Sequence, residues 1–107
     1  MKNELHLVGG EARKEAGRDR VEANNREWLD WARFNAREIA FWRGEITIDD
    51  IREMADSFDR QPTHPNAYGC VFRGEQWEKV GYRKSLRSKA HARVISVWAL
   101  KKETTDE

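Results

Sequence analysis

Three tryptophans on one side of a single long segment constrain the fold of this chain more than any other feature of its sequence. When the segment from about Asp19 to Arg43 is placed on a helical wheel at about 100° per residue, arginines and aspartates gather on one side and apolar residues on the other. The apolar face contains Trp28, Leu29, Trp31, Ala32, Asn35, Ala36, Ile39, Ala40 and Trp42. Gly44 follows where a helix commonly ends. The pattern predicts one long amphipathic helix whose tryptophan-bearing face enters the core.

Two phenylalanines depart from this pattern. Phe34 and Phe41 lie one heptad apart on the charged side of the predicted helix. One interpretation is that another element, such as the N-terminal tail, folds over them. The other is an exposed aromatic strip that binds a second copy of the chain, giving a homodimer through the first helix, or binds a protein partner.

The residues after the long helix predict a short strand followed by a second helix. Ile46 and Ile48 alternate with polar residues, as in a very short strand. Thr47, with an acid at Asp50 three residues later, resembles a capping box. Apolar residues then recur at helical spacing as far as Phe58. We therefore predict a second helix from about Ile48 to Phe58.

A proline-containing segment, DRQPTHP, separates this helix from the next one. Pro65 suits the first position of a third helix, because proline lacks the N–H that would be unsatisfied there. Thr63 or His64 would cap its start. We predict that the third helix extends from Pro65 to about Arg73 and ends before Gly74.

The remaining residues predict a β-hairpin. One strand covers roughly Trp77 to Tyr82 and a second covers His91 to Leu100, joined by the polar, basic loop RKSLRSKA. The complete order predicts an α+β winged helix-turn-helix with three helices, the first long and amphipathic, and a C-terminal hairpin wing. We expect this domain to cover residues 19–102, between a flexible N-terminal tail at 1–18 and a disordered C-terminal tail at 103–107.

Positive charge is concentrated near the hairpin, although the net charge of the 107-residue chain is only +1. From Val71 to Lys102 there are nine basic and two acidic residues. Five of these cations lie in or beside the loop with no acid between them, so they would repel one another in the free protein and attract a polyanion. They are Arg83, Lys84, Arg87, Lys89 and Arg93. The alternative is an ordinary solvated basic surface.

The short third helix and the basic loop together predict contact with double-stranded DNA. The helix would lie in the major groove, where Asn66 could bond an adenine edge, and the loop would reach the phosphates, with Ser85 as a neutral donor. These residues also have structural alternatives. Asn66 could satisfy local backbone groups, and a helix cap is the favoured role of His64 over phosphate contact. Arg73 could contact phosphate or could be a C-terminal cation favoured by the helix dipole.

The sequence argues against several other classes of protein. It has no apolar run of membrane-span length and no secretory signal. The single Cys70 cannot form an intrachain disulfide, and the three scattered histidines lack zinc-site spacing. The acids of GEITIDD are best explained by helix-start electrostatics, and no serine or cysteine is paired with a base in a recognisable order. We expect no catalysis, no metal, no cofactor and no membrane partner.

Three stretches of the sequence are similar to a pattern found in other proteins: HPNAYGCVFR, KVGYRKSLR and SKAHARVISVW. They lie between Ile46 and Trp98 and resemble a set of small winged-helix proteins encoded by bacteriophages and prophages. Those proteins are described as uncharacterised or as DNA-binding. The resemblance covers about half of the chain and does not include the tryptophan-rich helix. It implies a phage origin, with transcriptional regulation or an accessory role in phage DNA metabolism in the cytoplasm of the host bacterium. The alternative is a phage-encoded inhibitor that binds a host protein with the same scaffold.

Overall fold

The helices come first along the chain. The computed structural model describes residues 16–102. Within this range, a first helix, α1, covers residues 16–24, α2 covers Arg26–Arg43, and α3 covers Ile48–Ser57. A 3₁₀-helix follows at Pro65–Cys70. The chain then turns into the hairpin.

The hairpin consists of two antiparallel strands. Strand β1 covers Trp77–Lys84 and strand β2 covers Val94–Leu100. The predicted hairpin is confirmed, although β1 extends two residues beyond Tyr82 and β2 begins at Val94 rather than His91, because His91 caps a 3₁₀ turn of the loop. The loop between them contains a single 3₁₀ turn at Ser88–Ala90. The register shifts between Lys79 and Gly81, which produces a bulge in β1.

The predicted tails lie mostly beyond the described part of the chain. Residues 1–15 and 103–107 are outside it. Residues 16–18, which we assigned to the N-terminal tail, are helical and belong to α1.

The single long helix predicted from Asp19 to Arg43 is wrong, because the helix breaks at Asn25. This residue has φ −122° and ψ 29°, outside the helical region. Its side-chain amide donates to the carbonyl of Val21 at 2.8 Å, which occupies an acceptor near the end of α1. The apolar pattern continues on both sides of Asn25, so periodicity alone does not reveal the break.

One face of α2 buries a stripe of mainly small side chains. Leu29, Ala32, Ala36 and Ala40 are buried, together with the larger Trp28. The alanines let neighbouring elements approach the helix closely. The helix ends where the sequence predicts, because Gly44 takes φ 97° and its N–H caps the last turn.

The prediction that Trp42 lies in the core is wrong. Its side chain is 78% exposed, although it points towards the margin of the apolar face. Trp42 lies in the last turn of α2, where no other element of the described chain covers it. A helical wheel gives the direction of a side chain but not the extent of the elements that pack against it.

Helix α3 begins as the sequence predicts. Thr47 is extended at φ −128°, and the carboxylate of Asp50 accepts the Thr47 N–H at 2.9 Å. The helix ends at Ser57, and Phe58 is its C-cap residue. The predicted strand before α3 is reduced to a single bridge, in which Ile46 and Trp98 exchange two backbone hydrogen bonds of 2.8 Å.

The third helix is a 3₁₀-helix that ends at Cys70, short of the predicted end near Arg73. It covers only six residues, and its flanking bonds, such as Ala67 N–H to the His64 carbonyl at 3.0 Å, span three residues. Gly69 disfavours helix, which is consistent with the short length. The segment closes at Gly74, where φ is 135°.

The core lies where four segments of the chain meet. Leu29 of α2, Ile46, Ile51 of α3 and Val71 after the 3₁₀-helix are fully buried. Phe72 extends this core to the hairpin, because its ring forms contacts with tryptophans of both strands at centroid distances of 4.9 and 5.4 Å. The hairpin is thereby attached to the helices through side-chain packing as well as through the bridge at Ile46.

The architecture is α+β, with helices followed by a two-stranded antiparallel sheet. This order is compatible with a winged-helix-like layout. Among residues 16–102, none of the helices combines the length and the apolar character needed to cross a bilayer.

Candidate nucleic-acid interface

Helix α2 and the residue before it hold the 3₁₀-helix at both ends. At the start, Oδ1 of Asn25 accepts the backbone N–H of Thr63 at 2.8 Å and that of His64 at 3.4 Å. At the end, Nη2 of Arg33 donates to the carbonyl of Cys70 at 2.6 Å. The helical wheel places Arg33 on the solvent side, so this contact was not predicted. These two side chains determine where the 3₁₀-helix lies on the body of the protein.

The first turn of the 3₁₀-helix leaves one amide side chain available. Nδ1 of His64 accepts the backbone N–H of Asn66 at 3.1 Å, which confirms the predicted capping role of His64. The side chain of Asn66 is exposed, and no residue in the described range hydrogen-bonds to it. Asn66 is therefore free to bond a ligand.

Two of the five loop cations bind acids elsewhere in the protein. Arg83 pairs with Glu45, the residue after the cap of α2. Arg87 donates to Asp56 of α3 at 2.9 Å and lies 3.9 Å from Glu53. The expectation that the loop cations repel one another without compensation is wrong for these two, because their partners are distant in sequence.

Ser85 does not have the predicted role of a phosphate donor. Its side chain is buried, and its hydroxyl donates to Oδ1 of Asp49 at 2.8 Å. The backbone N–H of Leu86 donates to Oδ2 of the same carboxylate at 3.0 Å. The start of α3 thus holds the loop, and its acids do more than stabilise the helix start.

The other three loop cations remain available for an external anion. Lys84, Lys89 and Arg93 are exposed. None of them forms an ion pair with an acid in the part of the chain that the structure describes. Lys84, Lys89 and Arg93 thus differ from Arg83 and Arg87, which bind acids of the protein.

Arg73 has partners within the protein. Its Nη1 lies 2.8 Å from Glu22 and its Nη2 lies 3.2 Å from Asp19, both on α1. Neither the predicted phosphate contact nor the alternative dipole role describes this geometry. Arg73 connects α1 to the residues that follow the 3₁₀-helix.

A chain of three hydrogen bonds couples the 3₁₀-helix to the hairpin loop. The hydroxyl of Tyr68 donates to Oε1 of Gln61 at 2.7 Å, and Nε2 of Gln61 donates to Oδ1 of Asp56 at 2.8 Å. Arg87 completes the chain at the second oxygen of Asp56. Its hydrogen bond is the main reason that the pKa of Asp56 lies below its usual value of 3.8. Burial has the opposite effect on Tyr68 and raises its pKa above the usual value.

The two phenylalanines on the outer side of α2 are exposed. Phe34 is 56% and Phe41 is 69% exposed, so no element of the described chain covers them. The ring of Phe41 packs edge-on against Trp42 at a centroid distance of 5.1 Å. Three large aromatic side chains are therefore accessible on one helix.

The chain matches no protein-family model, no curated protein and no solved structure. The resemblance to phage-encoded winged-helix proteins therefore stays a prediction from the sequence.

Proposed function

We propose that this chain is a winged-helix-type protein of phage origin that binds double-stranded DNA. The 3₁₀-helix would present Asn66 to base edges in the major groove, and the hairpin would contact the sugar-phosphate backbone. The task would be transcriptional regulation or an accessory role in phage DNA metabolism.

The observation that carries this proposal is the hydrogen-bond chain from Tyr68 to Arg87. It joins the two elements that would contact DNA, the 3₁₀-helix and the hairpin loop, through Gln61 and Asp56. Because these hydrogen bonds are present without a ligand, they favour one relative position of the two elements before binding. Such preorganisation lowers the entropic cost of binding.

The free cations of the hairpin supply the electrostatic part of the proposal. Lys84, Lys89 and Arg93 would each neutralise a phosphate and release condensed counterions. Arg83 and Arg87 would instead support the loop from within, because their guanidinium groups already bind acids. This division differs from the sequence-based expectation, in which all five cations contact DNA.

The test is binding to random duplex DNA, followed by fluorescence anisotropy at several salt concentrations. In the triple variant Lys84→Gln, Lys89→Gln, Arg93→Gln, we expect the slope of log K against log salt to become shallower by about 3, close to one unit per lost phosphate contact. The affinity at low salt should fall by at least about tenfold.

A second triple variant provides the matched control. Arg26→Gln, Arg37→Gln, Lys102→Gln removes the same charge from exposed positions outside the hairpin loop. It should retain most of the wild-type affinity and slope. Wild-type protein that does not bind duplex DNA even at low salt would refute the proposed function.

The exposed aromatics of α2 favour a second candidate function, an inhibitor that binds a host protein. Phe34, Phe41 and Trp42 offer the large, accessible apolar surface that is typical of protein interfaces. Sedimentation velocity of the purified chain distinguishes a homodimer from a host partner. A monomer that retains one bacterial protein from an extract, and loses it on Phe34→Asp, would support the inhibitor. A dimer that Phe34→Asp dissociates would assign the surface to self-association.

A further inference from the structure

A groove runs along the 3₁₀-helix on the side of α1. It has a volume of about 850 Å³. A second hollow of about 430 Å³ continues from it towards the hairpin, and both are lined by Arg18, Arg52, Tyr68 and Gly69. The two hollows therefore adjoin at these four residues, and together they line a path from α1, past the 3₁₀-helix, to strand β2.

No carboxylate among the described residues lines either hollow. Arg20 lines the first hollow, and Arg18 and Arg52 line both. Among the described residues, the charged side chains in the lining of the groove are therefore all basic, which suits a polyanion.

Arg52 is placed so that its guanidinium group could bind an anion. It is half-buried on α3, and its guanidinium carbon lies 4.2 Å from the centroid of the Tyr68 ring. No acceptor or acid in the described range pairs with it. A guanidinium that stacks on a ring keeps its N–H donors at the edge, where they can bind phosphate oxygens.

Arg20 adds a second donor to the same groove. It is exposed on α1, and no ion pair or hydrogen bond links it to another described residue. Together with Arg52 it places cations on α1 and α3, two of the elements that bound the path. A strand of nucleic acid that followed the path could bind both.

Gly69 leaves the wall of the groove open. A Cβ atom built on this residue would meet no other heavy atom within 4 Å, and its φ is not positive. The fold therefore does not require glycine here. The absence of a side chain lets the backbone of a ligand approach the 3₁₀-helix closely.

We propose that this groove holds the sugar-phosphate backbone of one DNA strand, with Arg20 and Arg52 bound to its phosphates. The inference rests on the proposed function and deepens it, because it adds a phosphate-binding path to the contacts of the 3₁₀-helix and the hairpin. The hairpin cations would contact the backbone separately. Asn66, which also lines the first hollow, would lie beside the bound strand.

The first test compares two double variants by anisotropy with duplex DNA. Arg20→Gln, Arg52→Gln should weaken binding by about tenfold or more and make the salt slope shallower by about 2. Arg26→Gln, Arg37→Gln removes the same charge outside the groove and should bind like the wild type.

The second test does not disturb the stacking of Arg52 on Tyr68. Gly69→Glu adds an acid in open space, whereas Gly69→Gln adds an uncharged side chain of the same shape. We expect Glu to weaken binding clearly more than Gln. The amide signal of Gly69 in the wild type should also shift in NMR spectra when duplex DNA is added.

The outcomes separate this inference from the proposed function. In one outcome, the wild type binds duplex DNA and the hairpin triple variant binds poorly. If the groove double variant and Gly69→Glu then both bind like the wild type, the groove inference is refuted and the proposed function stands. An unshifted Gly69 signal at saturating DNA would refute it in the same way. If the wild type does not bind duplex DNA, the proposed function is refuted, and the inference falls with it.

Discussion

Oδ1 of Asn25 lies 2.8 Å from the backbone nitrogen of Thr63 and accepts its N–H across 38 positions of sequence. The same side chain donates to the carbonyl of Val21, so one buried amide connects the end of α1 to the turn before the 3₁₀-helix. Asn25 therefore takes part both in the break of the helix and in holding the start of the 3₁₀-helix, whose other end Arg33 holds.

Replacing Asn25 should destabilise the protein. Asn25→Ala removes the hydrogen bonds of a buried amide to three partly buried backbone groups, and we expect the free energy of unfolding to fall by about 1 to 3 kcal/mol. Asn24→Ala is the matched control, since Asn24 is exposed, and should change it by less than about 0.5 kcal/mol. Urea denaturation measures both. Equal stability of the two variants would contradict the role assigned to Asn25.

Arg33 should not tolerate a conservative replacement. Its side chain is mostly buried and donates to the carbonyls of Cys70 and Val71 at 2.6 and 3.4 Å. Lysine cannot reproduce this forked geometry, so Arg33→Lys should lower the free energy of unfolding by about 1 to 2 kcal/mol. Arg37→Lys, on the exposed side of the same helix, should be neutral. A neutral Arg33→Lys would show that the contacts to the 3₁₀-helix contribute little.

The contact between Asp56 and Arg87 should make the loop sensitive to acid. Because the pKa of Asp56 is lowered in the folded protein, the contact contributes stability above the usual value of 3.8 and loses it as the pH falls through the lower, folded pKa. Neutral pH lies far above this range, so the loop should stay attached there. In Arg87→Gln the pKa of Asp56 should rise towards 3.8, which an NMR titration of its carboxyl carbon measures. An unchanged pKa in this variant would disprove the assignment of its cause to Arg87.

Replacement of two tryptophans of α2 should change the stability of the protein to very different extents. Trp28 is buried, and its indole N–H donates to the carbonyl of Arg60 at 2.7 Å. Trp28→Phe should therefore cost about 1 to 3 kcal/mol of stability, because the carbonyl loses its donor and the core loses volume. Trp42→Phe should change stability by less than about 0.5 kcal/mol, since the side chain is exposed. Thermal denaturation compares the two. A larger loss for Trp42→Phe would mean that this side chain is covered in solution.

Local sequence signals predicted the elements whose causes are themselves local. The Thr47–Asp50 capping pair, the end of α2 at Gly44 and the cap at His64 each involve residues within four positions of one another. The alternating pattern of the strands likewise predicted the hairpin. These features could be derived because the physical cause and the sequence signal lie in the same few residues.

The features that were missed depend on contacts between distant residues. Arg33 and Cys70 are 37 positions apart, and Arg87 and Asp56 are 31 apart. Nothing in the sequence next to Arg87 indicates that its side chain binds an acid of α3. The same reason explains why a continuous basic loop was predicted to be wholly available, while the groove cations Arg20 and Arg52 were not recognised.

The bulge in strand β1 also determines how copies of this protein behave towards one another. Within the described residues β1 pairs only with β2, so its outer edge carries unpaired backbone groups beside the exposed Val80 and Tyr82. A regular edge of this kind is a template for cross-β growth. The register shift after Lys79 interrupts it, and the cations of the strand repel an identical neighbour. Both features therefore disfavour edge-to-edge pairing of this strand with a second copy of the chain.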